Sequence, residues 1–341
     1  MFLRVVAPLT LAWAAFAHAG PACSQLAAPT STPQNEVRSW LLRIHGAASR
    51  RNFQGTFVVS GGGGTVASAR ISHFCEGANQ YERIESLDGK QRQVYRFNEV
   101  VQTVWPASHI AMIEQRGMLS SFPALLQAGD DGIGDWYDVR SEGSERVAGH
   151  DADMLTVRAR DGLRYGYRLW ADRASGLLLR AEVLGDKGDV LETSAFSEVV
   201  IGVRPQPEMV LQAMRRLDGY RVVRPVLTPT RLEAEGWAMR QLAPGFRQVS
   251  CVSRQIDAPG EVSSAAASPP VIQSIYSDGL TYVSVFIEPF RPERHTRPVL
   301  AAVGATSTLA QRQGDWWVTV VGDTPPATLK MFAAALERRK P

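Results

Sequence analysis

The chain has 341 residues, 45% hydrophobic and 21% charged, with a formal net charge of +3. That length suits about two domains, each large enough to bury its own core. The small, dispersed charge argues against a dedicated nucleic-acid surface.

The opening MFLRVVAPLTLAWAAFAHAG carries Arg4, an apolar run from Val5 to Phe16, and the small residues Ala17 and Ala19. This is the three-part pattern of an export signal. Its apolar core is too short to cross a bilayer, and no other apolar run of about 18 residues follows. Residues 1–19 are therefore read as a cleaved signal peptide, residues 20–34 as a disordered leader rich in Ala, Pro, Ser and Thr, and the mature protein as exported and soluble. Cys23 raises a lipoprotein reading, although Gly20 and Pro21 stand where a lipobox carries an aliphatic and a small residue. With Cys75 and Cys251 it makes an odd set in an oxidising compartment. A Cys75 to Cys251 bridge and two free thiols both fit, and the spacing suits no metal site.

A helix follows, with Thr32 as cap, Pro33 in the first turn, and Val37, Trp40, Leu41, Ile44 and Ala48 on one face. Next comes TFVVSGGGGTVASAR. A phosphate loop leads its glycines into a helix N-terminus, whereas extended, β-branched sequence flanks Gly61 to Gly64 on both sides, so the run reads as a hairpin tip. From Phe53 onward short extended segments alternate with turn signals such as LDGK at 87–90 and GDKGD at 185–189. In LLLRAEV the residues Leu177, Leu179, Ala181 and Val183 are expected on one face, with Arg180 and Glu182 on the other. The helix and the Phe122 to Gln127 segment are too little to cover such a sheet, so it should curve and partly close on itself. Residues 35–204 form this β domain. Most of its aromatic residues suit a core, and Phe57, Tyr95, Trp105, Tyr165, Tyr167 and Trp170, with Leu169 and Leu179, are candidate positions for either core packing or an apolar ligand.

Prolines at 205, 207, 225 and 229 mark residues 205–229 as an extended, semi-rigid linker. Arg204, Arg215, Arg216, Arg221 and Arg224 beside it are candidate partner contacts, offering a positive surface to an acidic peptide or to phosphates; simple solvation of an exposed helix explains them equally well. Residues 230–338 form a second, smaller domain of antiparallel strands closed by a helix, with Thr324 as its cap and Leu329, Phe332, Ala333 and Leu336 on its buried face. Trp316 and Trp317 are adjacent and should face opposite ways. No G-x-S-x-G elbow occurs, His150, Asp151 and Asp153 alternate faces between two strands, and the acids form no convergent pair. The residues assign no catalytic, cofactor or metal site, and the class is α+β, mainly antiparallel β.

Five collinear blocks carry a resemblance. RVAGHDADMLTVRARDGLRYGYRLWADRASGLLLRAEVLGDKGDVLETSAFSEVVIG from Arg146, FQGTFVVSGG from Phe53, YERIESLDGKQRQVYR from Tyr81, SDGLTYVSVFIE from Ser277 and GDWWVTVVGDTPPATL from Gly314 resemble the RseB/MucB family, periplasmic regulators of the envelope-stress sigma factor. The four-glycine run, Cys75 and the long 257–270 loop depart from its pattern. The resemblance implies an N-terminal half-open β-barrel like that of lipoprotein carriers, a C-terminal sheet domain and a periplasmic location. It implies a non-enzymatic regulator without cofactor that binds the periplasmic part of a single-span anti-sigma factor and shields it from the site-1 protease. Lipopolysaccharide or the acyl chains of mislocalised lipoproteins would release it. A periplasmic carrier of lipids or lipoproteins is the alternative, and a homo-oligomer is left open.

Overall fold

The computed structural model describes residues 33–62, 64–115, 133–255 and 270–339. The export signal, Cys23, Thr32, the Phe122 to Gln127 segment and most of the 257–270 loop lie outside the described residues. Helix α1 (Pro33–Arg50) buries Leu41, Ile44, Ala47 and Ala48, a stripe at helical spacing, against the strands that follow. Those strands are β1 (Phe53–Gly61), β2 (Val66–Glu76), β3 (Asn79–Ser86), β4 (Gln93–Phe97), β5 (Val100–Trp105) and β6 (Ile110–Gln115). A short helix α2 (Ile133–Trp136) leads to β7 (Tyr137–Val147), β8 (His150–Ala159), β9 (Gly166–Asp172), β10 (Leu178–Leu184) and β11 (Val190–Ile201). Each strand pairs antiparallel with its successor in two meanders, and β11 returns to lie beside β1, with Phe53 opposite Ile201.

The resulting twelve-stranded sheet has β7 at one end and β12 (Arg221–Val223) at the other, unpaired with each other, so it curves without closing. Register shifts at Thr56/Phe57, Leu178/Arg180 and Ser141/Gly143 add to the curl. The second shift corrects the expected face of β10. Leu177 and Leu179 pack with Trp170 and Phe196, whereas Ala181 and Val183 pack with Leu178 and Leu169. The glycine tip turns as expected: Gly61 N–H donates to the Thr65 carbonyl at 3.0 Å, and Gly64 takes φ of 79°.

Residues 205–229 are not an extended tether. Pro207 opens helix α3 (Pro207–Arg215), whose Val210 is fully buried with Phe74, Tyr81 and Tyr95. Next, β12 adds to the first sheet parallel to β6, and β13 (Val226–Pro229) joins the edge of the second. The prolines mark element starts and ends because these short helical and edge positions need few backbone donors. The second sheet comprises β13, β15 (Arg247–Gln255), β16 (Val271–Ser277), β17 (Tyr282–Pro289), β20 (Trp316–Gly322), β19 (Thr306–Gln313) and β18 (Val299–Val303), in that spatial order. A small pair, β14 (Trp237–Met239) with β21 (Leu336–Arg338), flanks it. Helix α4 (Pro326–Ala335) lays Leu329, Phe332 and Ala333 on the sheet. Its cap position is Pro325, not Thr324, whose side chain is buried without capping it, and Leu336 keeps its buried place as a strand residue. The two tryptophans do face apart: Trp317 stacks on His295 at 4.8 Å, while Trp316 meets Trp237 edge-on at 5.6 Å. Cys75 and Cys251 lie in different sheets as free thiols, which removes the bridge between them.

The two sheets are joined by a buried charge. The Arg164 side chain, wholly inaccessible, donates through Nε to Asp278 Oδ2 at 2.6 Å and through its Nη atoms to the Asp161 carboxylate and the Pro244 carbonyl. The Tyr137 hydroxyl donates to the same Asp278 oxygen at 2.8 Å, and the Leu280 and Thr281 amides donate to its other oxygen at 3.0 and 2.9 Å. Trp136 and Phe246 lie at 4.6 and 5.0 Å from the guanidinium. Gly245, at φ 81°, brings its backbone so close that a Cβ would stand 2.5 Å from Arg164 and from Trp136. Burial, then Asp278, holds the Tyr137 hydroxyl well above its ordinary pKa, so it remains a donor. Asp278→Ala should lower unfolding free energy by about 3–5 kcal/mol because it strands a buried guanidinium. The Arg164→Met/Asp278→Asn double variant should lose less than the two single losses together, a comparison that urea denaturation makes directly.

Candidate ligand cavity and partner surface

Curvature of the first sheet leaves a cavity of about 440 Å³ on its inner side. Phe57 and Val59 of β1, Ile84 of β3, Tyr167 of β9, and Ala181 and Val183 of β10 form apolar walls, since register pairs Ala181 with Leu169 and Val183 with Tyr167 on one face. The second domain closes it with Leu280, Tyr282 and Ala305, held there by the Arg164–Asp278 pair two residues from Leu280. Its volume lies within the roughly 300–1,000 Å³ of small-molecule sites. One end is acidic. Burial raises the Glu192 pKa, with Asp323 adding to the rise and the Ala305 amide opposing it, and Asp323 itself accepts from the Thr306 hydroxyl at 2.5 Å. Such a site suits an uncharged chain better than an anionic headgroup. Among the candidate aromatic positions only Phe57 and Tyr167 line it.

The other positions disperse. Leu169 and Leu179 are fully buried core. Tyr95 belongs to the cluster under α3, Tyr165 is buried, and Trp105 ends β5. Trp170 lies on the opposite face of the sheet, where Arg180 covers its ring at 4.5 Å and its Nε1 donates to Glu145 at 3.0 Å. That face carries a charged groove of about 1,090 Å³ containing Arg158, Arg168 and Arg180 with Glu142 and Glu145. Arg168 and Arg180 both bridge to Glu182, which explains how that carboxylate is buried on the polar side. Sequence periodicity could not separate the two faces, because neighbouring aromatics in β9 alternate between them.

Arg204, Arg215, Arg216, Arg221 and Arg224 are all exposed along α3, β12 and the turns beside them, and line neither the cavity nor the groove. One cluster escaped sequence reading. His73, buried and stacked on Phe53 at 5.2 Å, places Nε2 at 3.4 Å from Cys75 Sγ and Nδ1 at 3.5 Å from Glu82 Oε2. The Cys75 thiol donates to the Ser49 carbonyl at the end of α1, 2.9 Å away. Burial opposes a charged His73, but Cys75 and Glu82 outweigh it and raise its pKa to about 9; burial likewise opposes a charged Glu82, and His73 holds it below the usual carboxylate range. The trio resembles a nucleophile with its base, but it lines neither the cavity nor the groove and serves as a pin between α1, β2 and β3. Its signal in sequence was the His73-x-Cys75 alternation, which puts both side chains on one face. His150, by contrast, pairs with Asp172 at 3.3 Å.

Comparison with known proteins bears on this geometry. Residues 36–214 match the family model of the MucB/RseB N-terminal domain and residues 231–337 that of the MucB/RseB C-terminal domain. The sigma factor AlgU regulatory protein MucB of Pseudomonas aeruginosa is 30% identical over 91% of this chain and 94% of its own length. The sigma-E factor regulatory protein RseB of Escherichia coli is 25% identical over 86% and 88%. Among solved structures, a P. aeruginosa MucA/MucB complex superposes with a TM-score of 0.66 at 28% identity, covering 90% of this chain and all of that one. A crystal structure of MucB with MucA(peri) gives 0.63 at 28%, covering 89% and 99%.

The His73 cluster sets a pH dependence. A folded-state pKa near 9 against 6.5 for a free imidazole means that its stabilising contribution is fully present below about pH 6.5 and is lost as pH rises through about 9. Urea unfolding of the wild type between about pH 6 and 10 should show this decline, and His73→Gln should flatten it.

Proposed function

Because the chain belongs to the MucB/RseB family, we propose that it regulates an envelope-stress sigma factor by binding the periplasmic part of a membrane anti-sigma factor. The observation that carries this reading is the match of both domains, end to end, with sigma-factor regulators, one of which has been solved in complex with MucA. Bound in this way, the protein shields the anti-sigma segment from its site-1 protease, and the export signal read in residues 1–19 would direct it to the periplasm. The described residues hold no group of His, Cys, Asp and Glu arranged for a metal, and none of their helices is long and apolar enough to cross a membrane.

The inner cavity supports the regulatory half of the proposal. An acyl chain of lipopolysaccharide or of a mislocalised lipoprotein would occupy the walls around Phe57, Tyr167 and Val183 and press on Leu280 and Tyr282, so that lipid entry and the position of the second domain are coupled. The exposed arginines from Arg204 to Arg224 offer the cationic counterpart, either to lipid phosphates or to an acidic stretch of the anti-sigma segment. A plain carrier of lipids or lipoproteins shares the cavity but would have to hand its chain on past the second domain, which the buried Arg164–Asp278 pair pins in place.

Protection of the purified anti-sigma periplasmic segment from site-1 protease tests the reading. The wild-type chain should slow cleavage, and lipopolysaccharide should restore it. Ala181→Trp fills the cavity from its wall and should keep the protection while losing at least tenfold in sensitivity to lipid; cleavage unaffected by the wild-type chain would refute the regulatory assignment. Reversing the arginines, as Arg215→Glu/Arg216→Glu, should weaken binding several-fold at low salt and less at high salt.

A further inference from the structure

Each end of a β-sheet presents a row of unpaired backbone groups, and natural sheets blunt such ends with charge, bulges, proline or brevity. Among the described residues, three of the four ends of the two large sheets follow that rule. Strand β7 carries Asp138, Arg140, Glu142 and Glu145 and a bulge at Ser141/Gly143. Strand β12 has three residues, and β13 has four and ends in Pro229. The fourth end, β18, reads Val299, Leu300, Ala301, Ala302, Val303: five residues, all exposed, all apolar, without charge, proline or bulge.

We propose that the outer edge of β18 is a docking site for an extended segment of the anti-sigma partner, which adds to the seven-stranded sheet as an eighth strand; this rests on the regulatory reading above. The hairpin geometry says which groups are offered. Gly304 and Ala305 form a two-residue turn, with Gly304 at φ 58°, so Val303 and Thr306 close the hairpin as a hydrogen-bonded pair. Alternation from that pair makes Ala301 and Val299 the next residues bonded to β19, and leaves the N–H and C=O of Leu300 and Ala302 pointing outward.

The surroundings define the occupant. The Gly304 turn lies against Gly61 of the glycine tip, whose neighbours in the hydrogen-bond pattern are Thr65 and, through Gly62, Leu191. Exposed valines flank this contact: Val66 (61% exposed) opposite Ser60, Val190 (44%) next to Leu191, and Val303 (70%) next to Gly304. At the other end of the strand the chain enters through exposed Arg294 and Arg297, neither of them ion-paired among the described residues, with Glu293 the acid beside them. A segment with apolar residues along the strand and acidic residues at the end facing these arginines fits both features. A second folded copy of this chain fits less well, since a five-residue edge falls short of the roughly 1,200 Å² that a stable interface buries, whereas a flexible segment gains area by running on across the flanking valines.

The test titrates the full mature chain with the periplasmic segment of the anti-sigma factor from the same organism and follows amide hydrogen exchange. The wild type should bind and slow exchange at residues 299–303. Ala302→Pro removes an outward N–H but no bond to β19, so it should weaken binding at least tenfold with an unchanged thermal midpoint, while Ala302→Ser binds normally. If the proline variant fails to fold, Leu300→Lys, at an exposed position, should give the same loss. Wild-type binding with unchanged exchange at 299–303, or with full affinity retained by a folded Ala302→Pro or Leu300→Lys, overturns the edge and leaves the regulatory reading standing. No binding by the wild type overturns both. Variants that instead abolish self-association in sedimentation overturn it in favour of a second copy.

Discussion

A guanidinium with no access to water must find its hydrogen bonds in the protein, and Arg164 finds them in three places: Asp161 beside it, and Pro244 and Asp278 far along the chain. Two of these belong to the second domain. The placement of that domain is therefore set by a directional polar requirement, which a merely apolar contact between the sheets would not impose. Asp278 answers in kind: its two oxygens accept from Arg164, Tyr137, Leu280 and Thr281, so the turn between β16 and β17 cannot move without unpairing a buried carboxylate. Further links, from Thr328 to the Leu163 carbonyl at 2.7 Å and from Arg254 to Glu114 at 3.5 Å, lie on the same joint.

The inner cavity follows from that constraint. A curled sheet open at one side would expose Phe57, Val59, Tyr167 and Val183 to water, and the fixed second domain covers them with Leu280 and Tyr282. Burial comes at the cost of polar groups at the closing end, where Glu192 and Asp323 face one another across the joint. The same rigidity argues against treating residues 35–204 and 230–338 as independently folding halves. Separating them would leave Arg164 or Asp278 buried without its partner and would strip β12 from β6 and β13 from β15.

Apolar, acidic and basic features are thus sorted onto different faces. The cavity is apolar with an acidic end, the opposite face of the same strands is a groove of paired charges around Trp170, and the exposed arginines run along α3 and β12. Under the regulatory reading this sorting lets lipid and protein ligands use separate surfaces while the joint between the domains connects them.

Sequence alone determined what depends on local pattern: the antiparallel class, the glycine hairpin tip, the apolar stripe of α1, the opposed Trp316 and Trp317, and the family itself through blocks spread along the chain. It misjudged residues 205–229, because proline reports a missing donor and a restricted φ but not whether the neighbouring residues form a helix or an edge strand. It merged Trp170 with Tyr167 and placed Leu179 with Ala181, because composition does not show faces and a single bulge reverses the alternation on which the face assignment rests. Only the tertiary structure decided that two of the candidate aromatics share a cavity, that Arg164 and Asp278 meet, and that His73, Cys75 and Glu82 converge. Each of those depends on strands coming into register across the sheets, and the free energy of such pairings is written in no short stretch of the chain.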